Sequence, residues 1–302
     1  MPKIELHTPR LGYSATQVVL RDVDLTLTGG NFYALVGSNG AGKSTLMKIM
    51  VGVLKPLSGR VRMTVTDAKQ PVFGQIGFCP QFPLVDWYTR VRDNVRLGPL
   101  LAGQSWKTSR KNVQASLRLL GIERLQKAAM DHISGGQQQR VQLARELAKQ
   151  PAIYLLDEPT TGLDVETIEK LFTYLHARAE AGALVLIASH DLTSVEAYAN
   201  QLILLDQGQV QYQGSLATFI NNGKTASTVQ VTIANENASR MLPQAGYQVT
   251  SDGTITVSQG ELLELLQFLT DHQLAVDKIE TIQPNLRTRY LQFKREEAAD
   301  ES

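Results

Sequence analysis

Apolar residues along the chain follow two different spacings, which predict strands and helices in alternation. Continuous apolar runs predict buried strands at Phe32–Val36, Ile153–Leu156 and Leu184–Ala188. Between residues 93 and 150 the apolar side chains recur at helical spacing instead, which predicts a helical subdomain at about 87–150. Strands that alternate with helices in this way indicate an α/β fold with a mostly parallel sheet at its core.

Shorter stretches complete this first domain and make its N-terminal part rich in strands. A glycine-rich stretch after the strand at Phe32–Val36 opens a helix that continues to about Val51. The remaining strands are predicted at Lys3–His7, Gln17–Leu20, Val61–Val65, Gln75–Cys79 and Gln201–Leu205, and the remaining helices at Glu166–Glu180 and Thr193–Asn200.

A second, smaller domain is predicted after a polar linker. Small and polar residues fill Asn221–Thr228, which places the domain boundary between residues 1–224 and 225–302. Beyond it strands and helices are mixed, so an α+β domain is expected. We predict strands at Val229–Ile233, at Ala275–Thr281 and on both sides of an Asp252-Gly253 turn, and helices at Glu236–Leu242, Glu261–Asp271 and Leu286–Phe293.

The composition of the 302-residue chain narrows the classes of protein to which it can belong. A net charge of +1 gives no basic surplus, so a nucleic-acid partner is not expected. The single cysteine, Cys79, excludes a disulfide within the chain. The longest apolar runs fall short of the roughly 18 to 20 residues needed to cross a bilayer, and the first residues lack an apolar signal core. We therefore expect a cytoplasmic protein that reaches the inner face of the cell membrane only through a partner.

A glycine-rich motif between the strand at Phe32–Val36 and the next helix predicts a phosphate-binding loop. Its glycines let successive backbone N–H groups face one centre, and the helix N-terminus behind them favours an anion. Lys43 is predicted to reach the β- and γ-phosphates of ATP, and the Ser44 hydroxyl to ligate Mg²⁺. This phosphate loop consists of Gly37, Ser38, Asn39, Gly40, Ala41, Gly42, Lys43, Ser44 and Thr45.

Two carboxylates follow directly on the apolar strand at Ile153–Leu156. Because open α/β sheets bind ligands at the carboxyl ends of their strands, Asp157 and Glu158 are expected beside the phosphate loop. Asp157 is placed to hold Mg²⁺ through its water shell, and Glu158 to orient or deprotonate an attacking water. A strand that ends in Asp is by itself equally consistent with an ordinary turn. The phosphate loop makes the catalytic interpretation the stronger one.

A third motif, Ser134-Gly135-Gly136-Gln137, precedes a helix that ends near Gln150. Ser134 is a natural N-cap, and the two glycines permit close approach of the backbone to an anion. Without the other motifs, a helix start with a flexible entry would be the preferred interpretation.

Together and in this order, the phosphate loop, Ser134–Gln137 and Leu155–Pro159 resemble the motifs of the ATP-binding cassette (ABC) ATPases. The resemblance covers about residues 3–222 and implies a P-loop NTPase fold that hydrolyses ATP with Mg²⁺. Ser134–Gln137 resembles the signature motif of that family. Four further residues resemble positions of the family. Gln81 resembles the glutamine that senses Mg²⁺ and the membrane partner, and Asp164 resembles the D-loop aspartate. His190 resembles the switch histidine that contacts the γ-phosphate, and Tyr13 resembles the aromatic residue that stacks on adenine.

The resemblance also implies an assembly. In the ABC family two cassettes face each other head to tail, and ATP lies between the phosphate loop of one and the signature motif of the other. This chain is therefore expected to form a homodimer, or a heterodimer with a second cassette. It is also expected to drive a polytopic membrane-spanning transporter subunit that is a separate polypeptide.

The C-terminal domain bears on the direction of transport. The segment Gln283-Pro284-Asn285-Leu286, followed by Tyr290, resembles the tail of drug, antibiotic and sodium efflux ATPases, and so predicts an exporter. An importer ATPase is the alternative, although its appendage is usually a β-barrel and the helices predicted here argue against one. A soluble ABC ATPase that acts on ribosomes or DNA is a further alternative. The single cassette and the short interval between phosphate loop and signature motif argue against it.

A dense group of large apolar side chains follows Gln81 in a predicted loop, over Gln81–Tyr88, here called the Q-loop segment. Loops are normally solvated, and exposed aromatic residues often anchor protein interfaces. We expect the membrane subunit to dock here; the alternative is that these side chains pack into the cassette core. The group comprises Phe82, Leu84, Val85, Trp87 and Tyr88.

Overall fold

The computed structural model describes residues 1–65, 67, 70–222, 228–233, 241–243, 245–247, 249–250, 253–258, 260–272, 274–282 and 285–300. The chain forms two units, Met1–Leu216 and Ala217–Ser302. The domain boundary predicted at residue 224 falls outside the described residues and stays a prediction.

The strands of the first unit form two sheets. In chain order they are β1 (Lys3–Ser14), β2 (Gln17–Thr28), β3 (Asn31–Gly37), β4 (Ser58–Thr64), β5 (Ile76–Cys79), β6 (Ile153–Asp157), β7 (Leu184–Ala188), β8 (Gln201–Asp206) and β9 (Gln209–Ser215). The six-stranded sheet has the order β5-β6-β7-β3-β8-β9 and is parallel except for β9, which pairs antiparallel with β8. An antiparallel sheet has the order β2-β1-β4. These sheets confirm the predicted parallel core and the strand-rich N-terminal part.

Helices lie between the strands of the parallel sheet. In chain order they are α1 (Lys43–Met50), α2 (Val91–Leu101), α3 (Trp106–Leu119), α4 (Gly135–Ala148), α5 (Val165–Glu180) and α6 (Leu192–Tyr198), and α7 (Leu216–Asn221) spans the division between the units. Helices α2, α3 and α4 pack on one another, which confirms the helical subdomain. In the described part of the chain, no helix combines the length and the apolar character needed to cross a bilayer.

Buried side chains join the two sheets of the first unit. Leu6 and Leu25 of the antiparallel sheet share one apolar cluster with Leu46 of α1 and with Leu155 and Leu186 of the parallel sheet, and all five are fully buried. Strands β6 and β7 are buried along their whole length, which explains why their sequences are continuous apolar runs. The cluster also fixes α1, and with it the end of the phosphate loop, against both sheets.

Some elements of the first unit differ from the prediction. Strands β1 and β2 extend well beyond Lys3–His7 and Gln17–Leu20, because they pair with each other along nearly their whole length. Strand β9 and helix α7 are absent from the sequence prediction. Strand β9 has no apolar run, since its residues are exposed or half-buried, and it becomes a strand by pairing with β8.

The second unit contains a three-stranded antiparallel sheet in its described residues. Its strands are β10 (Thr228–Ile233), β11 (Thr254–Ser258) and β12 (Val276–Ile282), in the order β11-β10-β12, and its helices are α8 (Leu262–Asp271) and α9 (Leu286–Asp300). Val231, Ile255, Leu265 and Leu269 are buried in one cluster between sheet and helix. This arrangement agrees with the predicted α+β domain.

Two predictions for the second unit differ from the structure, and two others lie largely outside the described residues. Helix α9 continues to Asp300, past the predicted end at Phe293. The helix predicted at Glu236–Leu242 and the turn at Asp252 lie largely outside the described residues. Before that turn, a single antiparallel bridge between Val249 and Ile255 takes the place of the predicted strand.

Candidate active site

The carboxyl ends of three neighbouring strands carry the predicted chemistry. Strands β6, β7 and β3 are adjacent in the sheet, so the residues that follow them meet at one edge. A pocket of about 190 Å³ opens there. It is lined by Val19, Asn39, Gly40, Gly42, Lys43, Ser44, Thr45, Gln81, Asp157, Glu158 and His190. Residues predicted from motifs far apart in the sequence therefore share one site.

The phosphate loop requires glycine at two of its positions. Gly40 and Gly42 have φ angles of 81° and 105°, which lie in the left-handed region that other residues rarely adopt. A Cβ atom on Gly42 would also lie 2.7 Å from the side chain of Leu20. The tight curl of this loop therefore depends on the glycines that the motif supplies.

Lys43 begins α1, and its side chain turns back into the phosphate loop. Its Nζ donates hydrogen bonds to the backbone oxygens of Gly37, at 2.7 Å, and Ser38, at 3.0 Å. Burial lowers the pKa of Lys43, while the carboxylates of Glu158 and Asp157 act to raise it. A partly desolvated cation beside a glycine-rich loop at a helix N-terminus is suited to bind a polyphosphate.

Gly37, Ser38 and Ala41 support the loop without lining the pocket. The Ser38 hydroxyl donates a hydrogen bond to Asp206 Oδ1 at 3.1 Å. Asp206 is buried at the end of β8, the strand next to β3, so this bond ties the loop to the sheet. The sequence offers one signal for Asp206, an acidic residue at the end of an apolar run, but no motif that gives it a role.

Glu158 and His190 face each other across the ends of β6 and β7. His190 Nε2 lies 3.2 Å from Glu158 Oε1, and the His190 backbone N–H donates to Oε2 at 3.4 Å. Glu158 has a φ of 51°, a strained conformation that is typical of functional sites, and its N–H bonds to the Ala188 oxygen at 2.9 Å. Burial raises the pKa of Glu158, opposed by His190 and Lys43. A carboxylate of raised pKa is suited to take a proton near neutral pH.

Tyr13 lies at the edge of the phosphate loop but does not line the pocket. Its hydroxyl is 3.5 Å from Thr45 Oγ1, and its side chain is about half exposed. An exposed ring beside the loop fits the predicted stacking on adenine. That role stays a prediction.

The signature motif and Asp164 also lie outside the pocket. Ser134 caps α4, because its hydroxyl accepts a hydrogen bond from the Gln137 N–H at 3.3 Å while the Gln137 side chain accepts one from the Ser134 N–H at 3.0 Å. Asp164 caps α5, and Arg140 of α4 lies 3.3 Å from its Oδ2. The signature motif and Asp164 are therefore joined within the chain, outside the pocket that its own phosphate loop lines.

The chain matches known proteins over most of its length. A family profile described as ABC transporter matches residues 20–161. The energy-coupling factor transporter ATP-binding protein EcfA of Methanothermobacter thermautotrophicus is 30% identical over 274 residues, which is 87% of each chain. This chain belongs to the ABC transporter ATP-binding proteins.

Further matches fit this assignment. The cobalt import ATP-binding protein CbiO of Rhodobacter capsulatus is 33% identical over 222 residues, 68% of this chain and 76% of the relative. A solved ATP-binding subunit of an ABC transporter superposes with a TM-score of 0.66 at 28% identity, over 72% of this chain and 92% of that one. The cassette MJ0796, solved as a dimer with ADP and phosphate after hydrolysis, gives 0.61 at 29% identity, over 72% and 99%.

As an ABC cassette, the chain binds and hydrolyses ATP. Cassettes of this family form dimers and work with membrane transporter subunits. The predicted efflux branch is not confirmed, since the relatives include import ATPases such as CbiO.

The cassette exposes the Q-loop segment to solvent. The exposed fractions are 78% for Phe82, 61% for Leu84, 50% for Trp87 and 100% for Tyr88, and Val85 is half-buried. The alternative in which these side chains pack into the cassette core is therefore wrong.

Glu158→Gln tests the assignment of the catalytic carboxylate. The substitution keeps the shape of the side chain and removes its charge, so kcat should fall by at least about 100-fold while the Kd for ATP stays near the wild-type value. Steady-state hydrolysis and binding of a fluorescent nucleotide measure the two quantities. Glu166→Gln, on the exposed face of α5, is the matched control and should leave both unchanged. Normal turnover in Glu158→Gln would contradict the assignment.

Proposed function

We propose that this cassette is the nucleotide-binding subunit of a membrane transporter, and that it couples closure of a cassette dimer on ATP to transport by a separate membrane-spanning subunit. The observation that carries the proposal is the convergence of Lys43, Glu158 and His190 on one pocket from three neighbouring strand ends. The higher affinity of ATP for the closed dimer would supply the energy.

Mg²⁺ fits the oxygen donors that line the pocket. Ser44, Gln81 and Asp157 offer a hydroxyl, an amide oxygen and a carboxylate, which are ligands that this hard cation prefers. We assign these three residues to hold it, directly or through water. When bound, Mg²⁺ would neutralise charge on the β- and γ-phosphates.

The remaining pocket residues are assigned to the hydrolysis step. Glu158 orients or deprotonates the attacking water, and His190 fixes Glu158 through the 3.2 Å contact and reaches the γ-phosphate. Lys43 binds the β- and γ-phosphates. Tyr13 stacks on the adenine ring.

The exposed signature motif is proposed to bind the ATP of a second cassette. A Cβ atom on Gly135 would meet no atom within 4 Å, so a ligand can approach the start of α4. The N-terminus of this 14-residue helix favours an anion. Asp164, joined to α4 through Arg140, would lie at the same interface. The second cassette is another copy of this chain or a relative of it.

The Q-loop segment is proposed as the docking site of a polytopic membrane subunit. It begins at Gln81, which lines the pocket, and continues into the exposed side chains of Phe82, Leu84, Trp87 and Tyr88. Large exposed apolar and aromatic residues of this kind anchor protein interfaces. Docking here would place the cassette at the inner face of the cell membrane, next to the group that senses the nucleotide.

Efflux is our proposal for the direction of transport, with import as the second candidate. The α+β second unit, with its sheet and the helices α8 and α9, supports an exporter, although Gln283 and Pro284 of the tail motif lie outside the described residues. Import is supported by relatives such as CbiO, which is named for cobalt import.

Replacement of Trp87 and Tyr88 by Ala in one chain tests the docking site. Both side chains are exposed, so the free energy of unfolding should change by less than about 0.5 kcal/mol, and basal ATPase should stay near wild type. Co-purification with the membrane subunit should be lost. Trp106→Ala removes an exposed Trp from α3 and is the matched control that should retain the partner. Retention of the partner by the double variant would refute the site.

The direction of transport can be tested in proteoliposomes whose cassettes face outward. For an exporter, ATPase activity should be stimulated by a compound added on the cassette side, because transport starts there. For an importer, stimulation should require the compound inside the vesicle. A panel of antibiotics, Na⁺ and divalent cations, supplied on either side, provides the probes. Stimulation only from inside would contradict efflux.

A further inference from the structure

Helix α4 packs against strand β5, at one edge of the six-stranded sheet. Strand β5 lies at one edge of this sheet, so its outward-facing backbone groups need partners from outside the sheet. Side chains of α4 supply them. Lys149 Nζ donates to the Ile76 oxygen at 3.2 Å, and Glu146 Oε2 accepts from the Phe78 N–H at 3.3 Å.

Gln142 makes the hydrogen bond at the C-terminal end of β5. Its Nε2 donates to the Pro80 oxygen at 3.0 Å. Gln142, Glu146 and Lys149 are spaced four and then three residues apart, so they lie on one face of α4. Their partners at residues 76, 78 and 80 face the same edge because alternate positions of a strand point the same way. We call this set of hydrogen bonds the α4–β5 seam.

Gln142 also closes the loop that leaves β5. While its Nε2 bonds to the Pro80 oxygen, its Oε1 accepts the N–H of Leu84. One side chain therefore bonds to the backbone on both sides of Gln81. Gln142 is fully buried, and its Nε2 also lies 3.1 Å from Cys79 Sγ, a thiol whose pKa is raised to about 12 by burial.

These two hydrogen bonds of Gln142, here called the clamp, link the start of α4 to the loop that carries Gln81. Helix α4 begins at the signature motif, which in the proposed function binds the ATP of a second cassette. Two turns further along α4, Gln142 bonds to the backbone of the loop that carries Gln81 into the chain's own pocket. The Q-loop segment, the proposed docking site, starts in the same loop.

We infer that Gln142 is a positioning residue, which holds Gln81 at a fixed position relative to helix α4. Movement of α4 on engaging a second nucleotide then moves Gln81 relative to the Mg²⁺ ligands and the docking site. This inference rests on the proposed function, in particular on the role of Gln81. A merely structural role, in which Gln142 only satisfies buried backbone groups, is the competing explanation.

Gln142→Met separates these explanations, because Met has a similar length and shape but cannot make the clamp. We expect kcat to fall about 10-fold, the lower end of the loss seen when an outer partner of a metal ligand is removed. The Kd for ATP without Mg²⁺ should stay within about twofold, and the Mg²⁺ concentration for half-maximal activity should rise. The Mg²⁺ dependence reports positioning, since a general loss of folded protein would leave the Mg²⁺ dependence of the remaining molecules unchanged.

Lys149→Met is the matched control. It removes a hydrogen bond of the same seam, from the same helix to the same strand, but at the end of β5 away from Gln81. Its melting temperature should also fall, because it also removes the 2.5 Å contact between Lys149 and Glu146. Its kcat should stay within about twofold of wild type. A loss of kcat as large as that of Gln142→Met would overturn the inference.

A double-mutant cycle with Gln81→Ala gives the decisive readout. If Gln142 acts through Gln81, the double variant should be no slower than Gln81→Ala alone. If Gln81→Ala lowers kcat and the two losses multiply, the positioning role is wrong and the proposed function stands. If Gln81→Ala leaves kcat unchanged, the proposed role of Gln81 fails, and the inference with it.

The wild-type chain provides a test that needs no variant, should Gln142→Met fail to fold. The Leu84 side chain is exposed, yet its amide is bonded to the buried Gln142. Hydrogen exchange at this amide should be at least about 10-fold slower than the intrinsic rate of an unstructured peptide. Exchange at the intrinsic rate would show that the clamp does not exist in solution and would overturn the inference.

Discussion

The buried ammonium group of Lys43 must be held and neutralised, and the other parts of the site are arranged to do so. It has left bulk water for a loop in which the oxygens of Gly37 and Ser38 are its nearest partners, and burial lowers its pKa. Such a cation is stabilised by negative charge, which the carboxylates at the end of β6 supply in part and the phosphates of ATP would complete. The glycine conformations, the bond from Ser38 to Asp206 and the packing of α1 against both sheets all hold the ammonium group in place.

The order of strands explains how distant segments form one site. Because β6, β7 and β3 are neighbours, the phosphate loop, a pair of carboxylates and a histidine meet at one edge of the sheet. The edge strand β5 delivers Gln81 to the same place, and its open side is completed by α4. In the proposed dimer, the helix that faces one nucleotide therefore also supports the loop that senses the other.

The sequence predicts the features that depend on local chemistry. The phosphate loop, Glu158 and His190 follow from motifs whose geometry is set by a few neighbouring residues, and the parallel core follows from apolar runs that are buried on both faces. Strand β9 and the roles of Asp206 and Gln142 do not follow, because each depends on a partner that only the folded chain brings near. The sequence pattern does not distinguish a buried Gln within a helix from an exposed one.

In the proposed dimer, each working site combines the phosphate loop of one cassette with the signature motif of another. The most direct measurement mixes two inactive variants, Lys43→Ala, which keeps its signature motif, and Ser134→Arg, which keeps its phosphate loop. A mixed dimer contains one intact composite site, so ATPase activity should appear on mixing although each variant alone is inactive. Full activity of Ser134→Arg by itself, or no recovery in a mixture shown to contain mixed dimers, would contradict the account.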